Sequence, residues 1–130
     1  MTKHLPLFFL FTFSLVVSCS DDDDMPEPDP CENISSVYEG EVEMIIAESC
    51  SYAGCHDGTG NNTAIPESAN DFTSFAGLGA SLNSGAFNRR VIVQRTMPPA
   101  AFVPPGFPTE LTESQLEILT CWRDAGFPEN

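Results

Sequence analysis

Glu41-Val42-Glu43-Met44-Ile45-Ile46-Ala47-Glu48-Ser49-Cys50-Ser51-Tyr52-Ala53-Gly54-Cys55-His56-Asp57-Gly58 contains both a helix and the means of ending it. Val42, Ile45, Ile46 and Ser49 recur at helical spacing, which predicts a helix carrying one apolar face into Cys50. Gly54 and Gly58 bracket Cys55-His56 and permit tight, irregular backbone there. Two thiols and an imidazole are thereby gathered at the end of one helix.

Downstream, the polar run from Asp57 to Asn70 has no hydrophobic period and reads as a loop. Phe72, Phe75 and Leu78 predict a short second helix, weakened by Gly77 and Gly79. Phe87 to Gln94 forms a third short element, helical or extended. In Arg95-Thr96-Met97-Pro98-Pro99-Ala100, followed by Pro104, Pro105 and Pro108, the prolines forbid regular helix and make a stiff loop that presents Met97. The last element is the best specified. Thr112 and Gln115 form a capping box, and Leu111 faces Leu116 as a hydrophobic staple. Leu116, Leu119, Trp122 and Ala125 make an apolar stripe, with Glu113, Glu117 and Asp124 on the wet side. Gly126 sits where the helix stops, and Pro128 prevents its resumption. No strand pattern matches these in strength and no repeat occurs, so the expected fold is all-α: a small helical domain with long loops.

Upstream, Met1-Thr2-Lys3-His4 is polar and Leu5 to Val17 is apolar but too short to span a bilayer. Val16-Val17-Ser18-Cys19 resembles the lipobox of bacterial lipoproteins. That resemblance implies cleavage before Cys19 and lipid on its thiol and amino group, an anchor firmer than a single acyl chain. Asp21 to Asp24 and the alternating prolines Pro26, Pro28 and Pro30 keep the next stretch extended and unfolded. The expected organisation is a signal peptide over 1–18, a lipidated Cys and disordered acidic tether over 19–30, and one domain over 31–130. A Ser-Asp run directly behind the lipidated Cys also resembles the signal that sends some Gram-negative lipoproteins to the cell surface. The expected location is therefore the cell envelope, lipid-anchored to the outer membrane.

The 130-residue chain carries a formal net charge of −14, with 19 acidic residues against five Lys and Arg. This balance argues against nucleic acid and anionic lipid as partners and favours solubility or a basic partner. A domain of about 100 residues gains a narrow stability margin from burial alone, so covalent or cofactor support is expected.

With Cys19 assigned to lipid, Cys31, Cys50, Cys55 and Cys121 remain in an oxidising compartment, where two disulfides are the default. A zinc site from Cys50, Cys55, His56 and Cys121 is disfavoured because export leaves few free thiolates. His56 is the one histidine outside the leader, and no Ser-His-Asp arrangement can be placed around it. The tether aspartates are too flexible to cage calcium.

From Tyr38 to Gly126 these residues resemble a small monohaem c-type cytochrome. The resemblance implies a cytochrome c-like fold whose first and last helices cross, with Trp122 as the crossing aromatic. It implies one covalent haem c, with Cys50 and Cys55 as thioether positions, His56 as proximal ligand and Met97 as distal ligand. Such a protein is not an enzyme: with both axial positions filled, iron passes electrons to a redox partner protein. Ile45, Ile46, phenylalanines and Trp122 would bury the macrocycle, and Arg89, Arg90 and Arg95 would face its propionates or form a surface patch. The usual attachment motif is Cys-x-x-Cys-His, whereas four residues, Ser51 to Gly54, intervene here. If haem takes Cys50 and Cys55, Cys31 and Cys121 are left to form the one structural disulfide. A haem-free binding or accessory module, with Cys50 bonded to Cys55 beside that link, is the alternative.

Overall fold

The computed structural model describes residues 27–59 and 70–130. The leader, Cys19, most of the tether and the centre of the polar loop lie outside the described residues.

Chain order gives a turn over Tyr38–Val42, helix α1 (Glu43–Ser49), helix α2 (Phe75–Asn83), a wide π-type helical segment over Asn88–Val93, a 3-10 turn over Ala100–Phe102 and helix α3 (Glu113–Asp124). Among the described residues there is no strand, only one isolated antiparallel bridge between Asp57 and Asp71. The all-helical expectation holds at this level. The segment Phe87 to Gln94, left open between helix and strand, is helical.

Periodicity and burial agree closely. Val42, Ile45, Ile46 and Ser49 are buried along α1, whereas Met44 faces outward. On α3, Thr112 and Gln115 make the reciprocal capping box, and Leu116, Leu119 and Trp122 are buried. The stripe ends there, because Ala125 is exposed. In α2, Gly77 has a use that its low helix propensity hides. A Cβ at this position would lie 2.0 Å from the carbonyl oxygen of Asp71, so only glycine lets the preceding chain lie so close.

Trp122 organises the core. Its indole meets Tyr38, Phe75, Phe87 and Phe127 with ring centroids 4.9–6.5 Å apart, in tilted or edge-on geometry. Its Nε1–H donates to the Pro128 carbonyl at 2.9 Å, and the Tyr38 amide donates to the same oxygen at 3.0 Å. The chain's end is thus sewn to the turn that precedes α1, and α3 packs on that turn and on Asn88–Val93.

A disulfide joins Cys31 to Cys121, with Cα atoms 5.5 Å apart across a separation of 90 residues. The fold begins slightly before Cys31, since Asp29 accepts the Cys31 amide through its side chain and the Glu32 amide through its carbonyl.

Candidate functional site: a cleft lined by thiols, histidine and methionine

The end of α1 and the loop after Asn88–Val93 face each other across a cleft of about 800 Å³, the open space at its mouth included.

One side is the cysteine turn. Cys50 caps α1 with its amide on the Ile46 carbonyl at 2.9 Å. The chain then folds back: the Cys55 amide donates to the Tyr52 carbonyl and the His56 amide to the Cys50 carbonyl, both at 3.0 Å. Gly54, at φ +85°, supplies the left-handed residue that this reversal needs. His56 is then fixed from the far side of the polar loop. Its carbonyl accepts the Phe72 amide at 2.8 Å, and its ring stacks on that of Phe72 with centroids 4.2 Å apart.

The other side is the methionine loop. Arg95 adopts φ +51°, turning the chain sharply, and Thr96 fastens the turn by donating its amide and hydroxyl to the Arg90 carbonyl at 2.8 and 3.3 Å. Met97 follows, with its side chain lining the cleft.

The structure therefore brings all four sequence-derived site residues, Cys50, Cys55, His56 and Met97, onto one cleft. Cys50 and Cys55 are both 7 % exposed and neither is in a disulfide. Burial, with Cys55 beside it, pushes the Cys50 thiol up to about 12, so at neutral pH it is a protonated thiol. Phe72, Phe87 and Val91 supply apolar wall. No Asp or Glu among the described residues lines the cleft, although the chain is strongly acidic, while Arg89 and Arg90 do.

Other expectations are redistributed. Ile45, Ile46 and Trp122 do not line the cleft; they belong to the core behind it, where their side chains are closed over by other residues. Arg95 is turned away to Glu113, with N–O distances of 2.8 and 3.3 Å. A zinc set that includes Cys121 is not assembled, because that sulfur is bonded to Cys31, and no group of three candidate metal-binding side chains occurs among the described residues.

Tyr52 was not singled out by the sequence and Ser49 only as part of the α1 face, yet both line the cleft. Each is buried, with a hydroxyl that has no hydrogen-bond partner among the described residues. The Tyr52 hydroxyl approaches the Cys55 thiol without completing a well-formed hydrogen bond, and burial together with that neighbour pushes its pKa up. The one available signal was position: Tyr52 lies between the two cysteines.

No helix among the described residues is long and apolar enough to cross a membrane. No family model, curated protein or solved structure matches the chain.

Proposed function

We propose that this chain is an exported electron-transfer protein with one covalently held haem c, anchored to the outer membrane by lipid on Cys19. The observation that carries the reading is the convergence of Cys50, Cys55, His56 and Met97, from two distant parts of the sequence, on a single largely apolar cleft. Haem attachment through thioethers needs two unoxidised cysteines facing the same space as a histidine, and the donor set here meets that requirement. The Cys31–Cys121 bond leaves Cys50 and Cys55 as the two unbonded cysteines of the described residues.

Bound there, haem supplies a one-electron couple. The residues of the chain do the rest. Cys50 and Cys55 would hold the group by covalent bonds, and His56, its ring orientation set by Phe72, would supply an imidazole nitrogen to the iron. Met97 would supply a soft thioether, a donor that favours the reduced state and raises the potential relative to two imidazoles. Phe72, Phe87 and Val91 exclude water, which keeps the local dielectric low. Arg89 and Arg90 give the cleft the cationic character that carboxylate side arms require. With His56 and Met97 both committed to holding the iron, the role would be electron transfer to a redox partner, and the acidic chain suits a basic one.

The test is chemical. Protein from a host with a cytochrome maturation system should keep its chromophore after denaturation and acid-acetone extraction, with an intact mass raised by one haem. An unmodified chain mass would end this reading and leave a haem-free binding module.

A further inference from the structure

We infer that Tyr52 is a positioning residue for Met97: stacked on Phe107, it clasps the turn bearing Cys50, Cys55 and His56 to the loop bearing Met97. The two rings lie nearly parallel, with centroids 4.1 Å apart and an interplanar angle of 19°. Tyr52 is one of the four residues between the cysteines, where the usual attachment motif has two. Its carbonyl closes the tight turn onto the Cys55 amide, so ring and turn move together. The spacing that departs from the motif is what supplies this arm.

Phe107 is well placed to transmit the hold. It ends a turn closed by its own amide on the Pro104 carbonyl at 3.3 Å. Of the nine residues between it and Met97, Pro98, Pro99, Pro104 and Pro105 have fixed φ, and the Phe102 amide closes a turn on the Pro99 carbonyl at 2.8 Å, so a hold at Phe107 is passed along a stiffened chain. The loop's beginning is already held by Thr96 on Arg90 and by Arg95 on Glu113. With Tyr52 holding its far end, Met97 is suspended between two fixed points. The functional half of this inference rests on the haem reading; the clasp itself does not.

The variants are Phe107→Ala, Tyr52→Ala and Tyr52→Phe in the full chain. Phe107 is 43 % exposed, so its truncation leaves the core intact. In haem-loaded protein, added imidazole competes with Met97 for iron and binds only when Met97 is displaced. Its apparent affinity should rise about 2- to 12-fold in both Ala variants, the population shift that one stacked aromatic pair is worth. Tyr52→Phe, which keeps the ring, should match the parent, and Met97→Ala sets the ceiling. Independently of haem, amide hydrogen exchange at Phe102 and at position 107, whose turns lie in this loop, should quicken in the Ala variants. If the protein carries haem and imidazole affinity stays at the parent value in both Ala variants, the inference is overturned. If it carries none, the proposed function falls first, and unchanged exchange then overturns the clasp as well.

Discussion

Around Trp122, buried side chains meet one another: the indole is surrounded by four aromatic rings, and its N–H is satisfied by Pro128. Around Cys50 the burial is of another kind. Two thiols, the Ser49 hydroxyl and the Tyr52 hydroxyl are shielded from solvent, yet the hydroxyls have no partner among the described residues and the thiols are unbonded. Leaving a buried hydroxyl unsatisfied costs about 1–3 kcal/mol. The aromatic end is finished by the chain itself. The cleft end leaves polar side chains facing open space.

The sharpest way to break that contrast is at the finished end. Replacing Cys31 and Cys121 together by Ala should lower the unfolding free energy by about 2–5 kcal/mol, since loop-closure entropy for so long a loop approaches the top of that range. The separation of 90 residues sets the loop length. Denaturant unfolding of oxidised parent and variant measures it. An unchanged midpoint would mean that the aromatic cluster alone holds the chain ends, and that the bond serves the tether instead.

A smaller effect is expected where the two regions are joined. Arg95 and Glu113 link the methionine loop to the first turn of α3, but their side chains are 56 % and 81 % exposed. Solvent screening limits such a pair to about 0–1 kcal/mol, and a carboxylate in the first turn of a helix adds a few tenths more. Glu113→Gln should therefore cost no more than about 1 kcal/mol in low salt, and less as salt rises. A larger, salt-insensitive loss would show that Glu113 fixes the left-handed Arg95 by shape and not by charge.

How far the sequence spoke differs between these regions in the same way. α3 was legible in full outline because its signals are local: the Thr112–Gln115 box, the stripe through Trp122 and the Gly126 stop all act within one or two turns. Cys50, Cys55, His56 and Met97 were legible as chemistry, because few residue types serve such roles. Their convergence depends on the chain's return through Phe72 and Arg95, where no period exists to be read. Arg95 at positive φ, the Tyr52–Phe107 stack and the close approach of Asp71 to Gly77 are long-range or strained features with no local signature. Ile45, Ile46 and Trp122 were correctly expected inside, but an apolar stripe does not say whether it faces a cofactor or a neighbouring helix.

The smallest effect sits at the edge of the cleft, on Asp71, whose neighbour Phe72 carries the hydrogen bond and the ring that orient His56. The Asp71 carboxylate accepts the Thr73 hydroxyl at 2.6 Å and the Thr73 amide at 2.9 Å. Those two donors hold its carboxyl below the ordinary value of 3.8, against repulsion from Asp57 across the bridge. The folded state therefore binds this proton less readily than the unfolded chain does. It follows that Asp71 contributes its stability in full above the unfolded value, and that the contribution fades as pH falls through the lower folded value. Because the group is fully exposed, the contribution is small. Thermal midpoints of the parent and Asp71→Asn, measured from about pH 5 down to about pH 2, should differ at the upper end and converge at the lower. The Asp57 titration, also held low by its hydrogen bonds to Thr59, is common to both proteins and cancels in the comparison apart from the lost repulsion. If the gap instead stays constant across that range, the Asp71 contribution comes from the shape of the turn before α2, which asparagine would imitate only in part, and not from its charge.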